Sequence, residues 1–185
     1  MNIIQTDFPG LKIIEPKVFG DSRGYFFESY NQKALSEAGI QTIFCQDNQS
    51  SSKYGVIRGL HFQKNPHAQT KLIRVLDGII YDVVVDLRKG SPTFGKWMGT
   101  ELSADNKRQL YIPGGFAHGF SVLSEQATIM YKCDQFYHPA SEGGIIYNDP
   151  ELNIDWKVDM NRATISDKDR SLPELSKIDS DFTFE

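Results

Sequence analysis

The sequence predicts an all-β chain folded as an antiparallel sandwich or barrel, because short apolar segments follow one another and turn signals separate them at close intervals. One segment alone carries helix start and stop signals, and it is short. In chain order the strand candidates are KIIEPKVF, YFFESY, TIFCQDN, GVIRGLHF, TKLIRVLDG and IIYDVVVDL, followed by Gln109 to Ile112, GFSVL and ATIMYKCDQFY. Asp77-Gly78, Lys89-Gly90-Ser91-Pro92 and Pro113-Gly114-Gly115 punctuate them. The helix candidate, NQKALSEAG, has Asn31 to cap its start and Gly39 to end it. From Pro150 to Glu185 the chain is charged and weakly periodic, which predicts an irregular arm with short helical turns packed across the barrel. No internal repeat or low-complexity linker interrupts the chain, so residues 1–185 read as one domain.

Composition removes several function classes. A hydrophobic share of 39% supports a sizeable core, and a net charge of -4 opposes a surface devoted to nucleic acid, which needs a basic footprint. The two cysteines, Cys45 and Cys133, make no disulfide framework and lie in apolar stretches, where both are expected as buried free thiols. The first residues hold an acid, Asp7, and two prolines where a secretory signal needs a positive start and an unbroken apolar run. No segment approaches the roughly 20 apolar residues that cross a bilayer. A cytoplasmic protein with no membrane partner is expected.

Strand parity then locates polar side chains on otherwise apolar faces. Lys71 shares its face with Ile73 and Val75, and Tyr131 shares its face with Ala127, Ile129 and Cys133. Asp82 and Asp86 lie with Ile80 and Val84 on a strand apolar enough to be covered on both sides, so Asp82 needs a partner. His61 follows Ile57 and Gly59 on its face, and strict parity turns Arg58 the other way. Both reach one pocket only if Gly59 marks a bulge. Singly, each residue reads as packing or as a solvated edge; together, a His, a Tyr, a Lys and an Asp converging on one cavity make a candidate site.

The order of these residues resembles the cupin barrel, a jelly roll with two metal-binding motifs. His61-Phe62-Gln63 occupies the place of its H-x-H, Lys71 that of its glutamate, and Pro113-Gly114-Gly115-Phe116-Ala117-His118 retains P-x-G-x-x-H, with Val122 at the final Asn. Two of four metal ligands therefore remain, and an ammonium in the third slot repels a divalent ion. No metal is expected. An imidazole beside an ammonium suits a substrate that turns anionic during reaction.

From about Ile13 to Pro173 the chain further resembles the dTDP-4-dehydrorhamnose 3,5-epimerase family, in the blocks DSRGYFFESYN, QDNQS, VIRGLHFQ, KLIRVLDG, DVVVDLRKGSPTFGKW, YIPGGFAHGF, YKCDQFYHP, EGGI and ISDKDRSLPEL. The resemblance implies a homodimer of cupin-like antiparallel β-barrels, no cofactor, and a dTDP-4-dehydro-6-deoxyglucose substrate inverted at C3 and C5. It implies His61 as base, Tyr131 as acid, Asp169 as the partner that orients His61, and Lys71 near the C4 ketone. It also puts Arg23, Glu28, Gln46, Asp47, Asn48, Arg58, His118, Glu142 and Lys168 at substrate contacts, with Arg23 and Glu28 serving the neighbouring subunit. Two departures stand out: Phe136-Tyr137 where the family commonly has two tyrosines, which removes a phenol and a sugar contact, and Asp167 where glutamate is frequent.

The chemistry asks for these groups. Removing a hydrogen beside a ketone takes a base against that face and a positive group at the enolate oxygen, and inversion takes an acid on the opposite face. Arginines at the pocket mouth grip a diphosphate in forked geometry. Competing readings are an epimerase of C3 alone or C5 alone, a 4-keto-sugar ketoisomerase, and a non-catalytic sugar-nucleotide-binding cupin. The last gives no reason for Tyr131 and a His-orienting acid together.

Overall fold

Short apolar strands cannot bury a face alone, so they pair and stack. The computed structural model describes residues 1–184, and Glu185, the end of the expected arm, lies outside them. The strands are β1 Asn2–Gln5, β2 Lys12–Glu15, β3 Phe19–Asp21 and β4 Gly24–Phe26, and, after helix α1 Gln32–Glu37, β5 Gln46–Lys53 and β6 Ile57–Gln63. There follow β7 Lys71–Asp77, β8 Ile79–Asp86, β9 Trp97–Ser103, β10 Gln109–Ile112, β11 Phe116–Val122, β12 Gln126–Cys133, β13 Glu142–Gly144 and helix α2 Asp167–Arg170.

Two antiparallel sheets face each other, one ordered β1-β2-β10-β7-β12-β5 and the other β13-β6-β11-β8-β9, while β3 and β4 form a separate hairpin. The predicted all-β, cupin-like jelly roll is the fold observed. Between the sheets lies a core that includes Ile73, Val84, Leu110, Phe120 and Ile129. A second cluster covers the outer face of the smaller sheet, where Leu152, Trp156, Ile165 and Phe182 of the C-terminal arm pack on Ile57, Leu60, Phe62 and Val83. The arm is irregular and carries only short helical turns, as its composition predicts.

Helix α1 begins as its sequence requires: the Asn31 side chain accepts from the Ala34 amide. At six residues it is too short to persist alone, and its buried Leu35 packs with Ile14, Ile40 and Leu72 on the outer face of the larger sheet.

Some expected elements shift. The strand expected at TIFCQDN starts only at Gln46 and continues through Lys53, a polar run whose lack of apolar alternation hides it. Strands β1, β9 and β13 are additional, and Asp134 to Tyr137, expected as the end of a strand, form a loop. Cys133 is buried but Cys45 is exposed, because Cys45 precedes β5 rather than lying inside a covered strand.

Candidate active site

Four strands bring their polar residues to one end of the barrel interior. His61 on β6, Lys71 on β7, His118 on β11 and Tyr131 on β12 line a cavity of about 550 Å³ floored by Phe120 and Ile129. A second lobe of about 360 Å³ opens beside it, lined by Gln46, Asn48, Gln69, Tyr137 and Glu142. Both lobes are bounded by His61, Lys71 and Tyr131, which therefore form the waist of the site.

The bulge at Gly59 is what gives β6 two residues on this side. Between the pairs His61↔His118 and Arg58↔Phe120 the register shifts, with an extra residue on β6. Gly59 has φ +115°, and a Cβ there would lie 2.6 Å from the Gly119 Cα, so this position requires glycine. Ile57, Leu60 and Phe62 consequently point into the outer cluster, while Arg58 and His61 both line the cavity. The parity reading that set His61 with Ile57 is corrected by this bulge. Arg58 is steadied by its Nε, which donates to Ser52 Oγ at 3.0 Å.

Asp169 comes from the arm. Ser166 caps α2 by accepting from the Asp169 amide, and the carboxylate reaches His61 Nε2 at 2.8 Å with Oδ1 and accepts from the Gly59 amide at 3.0 Å with Oδ2. Burial pushes this carboxyl up, but the bonds from His61 and Gly59 outweigh it and hold Asp169 below the usual carboxylate range. The partner that Asp82 needs is His118, whose Nε2 lies 3.0 Å from both carboxylate oxygens.

Burial lowers the Lys71 ammonium from its ordinary value and raises the Tyr131 phenol. Cys133 lies beside Lys71 in the strand register, and burial pushes its thiol up to about 11, so it stays neutral. Lys168 lines the larger lobe and donates to Glu142 at 2.6 Å; the other Glu142 oxygen accepts from the Tyr137 hydroxyl at 3.0 Å.

Three expected contact residues are not brought in by the chain's own fold. Asp47 alternates away from Gln46 and Asn48 and pairs with Lys132 at 2.8 Å on the outer side. Arg23 sits on the β3–β4 hairpin, exposed and bound to Asp21, and Glu28 accepts from Asn31; neither lines either lobe. Conversely, Ser50, Thr164 and Ser166 line the larger lobe and Gln69 the smaller one without having been singled out, and Tyr137, named only as the phenol that remains beside Phe136, also lines the smaller lobe. The signal for Tyr137 was its place in the block YKCDQFYHP; the strand pattern gave the small hydroxyl residues none. Phe136 is 69% exposed and lines neither lobe, so the missing phenol falls outside the cavity of this chain.

The family model described as dTDP-4-dehydrorhamnose 3,5-epimerase matches residues 5–177. A curated relative of that description from Shigella flexneri is 55% identical, covering 91% of this chain and 93% of its own. A solved structure of the Elizabethkingia anophelis epimerase superposes with a TM-score of 0.91 at 52% identity, over 95% of this chain and 97% of that one. A second, from Legionella pneumophila in complex with dTDP-4-keto-L-rhamnose, gives a TM-score of 0.91 at 52% identity, over 96% and 94% of the two chains.

Proposed function

The chain belongs to the dTDP-4-dehydrorhamnose 3,5-epimerase family and is an isomerase, and we propose that His61 and Tyr131 are the acid–base pair with which it inverts C3 and C5 of dTDP-4-dehydro-6-deoxy-D-glucose. One observation carries the assignment: an imidazole backed by a carboxylate at 2.8 Å and a phenol from a separate strand share the waist of one cavity with a half-buried lysine.

With its Nε2–H donated to Asp169, the neutral His61 ring keeps the lone pair of Nδ1 for the hydrogen on the carbon beside the ketone. The C–H electrons move onto the C4 oxygen as an enolate, and Asp169 stabilises the imidazolium that results. Lys71 meets the oxyanion. Its ammonium is poorly solvated, so it gains more from the negative charge of the transition state than from the neutral ketone. Tyr131 then gives its hydroxyl proton to the carbon from the other face, and proton exchange with water resets both groups. A single base would return the proton to the side it left.

Arg58 and Lys168 in the larger lobe supply cations for the diphosphate. Gln46, Asn48, His118 and Glu142 complete the contacts within the chain. For Arg23 and Glu28 the proposal is a homodimer, in which the hairpin exposing Phe19, Tyr25 and Phe26 covers its apolar side chains on a second copy and delivers both residues there. We place the reaction in the cytoplasm, where nucleotide-activated sugars are made, and assign it to side chains alone without metal or cofactor.

Turnover of the 4-keto sugar nucleotide in deuterated water tests this reading. Deuterium is expected at both C3 and C5 of the product, before and after exhaustive chelation. Label at one carbon only makes the chain a mono-epimerase, and binding without label makes it a non-catalytic cupin. Equilibrium sedimentation is expected to give twice the chain mass.

A further inference from the structure

Gln63 stands where a metal-binding cupin has its second histidine, and the acid–base reading gives it no task. It is 5% exposed, and its amide is fully engaged: Nε2 donates to the His67 carbonyl at 2.7 Å and the Phe136 carbonyl at 3.3 Å, and Oε1 accepts from the His138 amide at 2.7 Å. Two neighbours act on the same loop. Gln69 Nε2 donates to the Gln135 carbonyl at 2.8 Å, and Gln46 Oε1 accepts from the Tyr137 amide at 3.4 Å.

The ends of this loop are tied by the main chain, Asp134 to Thr70 and His138 to Ser141, but residues 135–137 make no backbone-to-backbone bond among the described residues. Three glutamine side chains do what a sheet ladder does elsewhere. The loop so held carries Tyr137 into the wall of the smaller lobe and onto Glu142, which in turn holds Lys168 beside Asp169. Only a side chain with two donors and an acceptor in one plane satisfies two carbonyls and an amide at once. A glutamate of the same shape turns an oxygen toward both carbonyls.

Resting on the epimerase reading, we propose that Gln63, seconded by Gln69, is a positioning residue that fixes the 134–138 loop so that Tyr137 closes the smaller lobe on the substrate. Its effect falls on substrate capture and not on proton transfer: it shares the wall of the smaller lobe with His61, Lys71 and Tyr131, but none of its side-chain hydrogen bonds goes to them.

The experiment uses the full chain with Gln63→Glu, which keeps the volume, and Gln69→Ala, at a partly exposed site that tolerates truncation. Each is expected to raise KM about tenfold with kcat within about threefold of the parent, the pattern of lost binding shared by ground and transition states. Added to Tyr137→Ala, neither is expected to raise KM further, since both act through that residue. Chymotrypsin is expected to cut after Phe136 or Tyr137 at least about tenfold faster in both variants, as local opening frees the loop. Losses confined to kcat, effects that multiply with Tyr137→Ala, or unchanged cleavage overturn the proposal. If the parent itself turns over no substrate, the epimerase reading fails separately, and the cleavage rates alone then judge the clamp.

Discussion

His61 and His118 lie opposite each other on neighbouring strands, and each binds one aspartate through Nε2. The surroundings of the two pairs differ. The His61 side chain is 32% exposed and its carboxylate arrives on the C-terminal arm, with one oxygen on the ring and the other on the Gly59 amide. The His118 side chain is 9% exposed, and both oxygens of a wholly buried Asp82 converge on it from the adjacent strand β8. The same two residue types thus make a base where the ring stands open in the cavity and a brace where the ring only grazes the cavity wall. Asp82 without His118 is a buried carboxyl with no hydrogen-bond partner for its side chain, whereas Asp169 without His61 retains the Gly59 amide.

The largest effect that tests this contrast is His61→Ala. Inversion and exchange of substrate hydrogen with deuterated solvent are both expected to fall by roughly 10² to 10⁴ or more, because no enolate forms. An equal loss of exchange in His118→Ala, with its fold intact, would erase the distinction between base and brace.

Tyr131→Phe comes next and separates the two faces. His61 still forms the enolate, so deuterium is expected to enter while inverted product falls about 10²-fold. If exchange drops in step with inversion, the tyrosine acts during proton removal and the two-face assignment is wrong.

His118→Ala is expected to act on stability and, since His118 also lines the larger lobe, on KM rather than on proton removal. Leaving Asp82 buried and unpaired costs about 3 kcal/mol, read from urea unfolding, while kcat remains at least about tenfold above that of His61→Ala. A variant as stable as the parent would show that His118 does not brace Asp82.

Most of this architecture was legible because the interior strands obey alternation: Lys71 with Ile73 and Val75, and Tyr131 with Ile129, fall on the face the parity assigned them. Parity failed at Gly59, where one inserted residue moved Arg58 to the cavity side, and a lone glycine in a strand announces a bulge without giving its register. β5 was half hidden because QDNQSSSK sets polar side chains toward the cavity on one face and outward on the other, so no apolar period exists to find. Asp169 belongs to a segment with no strand period at all, and composition alone does not carry it to His61; only the resemblance in SDKD did. Arg23, Glu28 and Asp47 were read from that same resemblance, and the fold of a single chain leaves them outside the cavity.

The smallest effect concerns Asp169 and the pH dependence of stability. Although burial opposes ionisation, the His61 and Gly59 bonds hold this carboxyl below its ordinary value, so the folded state binds its proton less readily than the unfolded chain. Its contribution is therefore complete above the unfolded value of about 3.9 and disappears as pH falls through the lower folded value. Asp169→Asn has no such proton to take up. The stability gap between parent and variant, read from urea unfolding between about pH 5 and about pH 3, where His61 is protonated in both, is expected to narrow below about pH 4, by at most the one-proton slope of about 1.4 kcal/mol per pH unit. Asp86 at the end of β8 is also held low, against its burial, by Arg88, Ser91 and Thr93. It titrates in both proteins and cancels from the gap. A gap that stays constant down to pH 3 would mean that the carboxylate is no more favoured in the folded state than in the unfolded chain, and the arm would then hold His61 by shape rather than by charge.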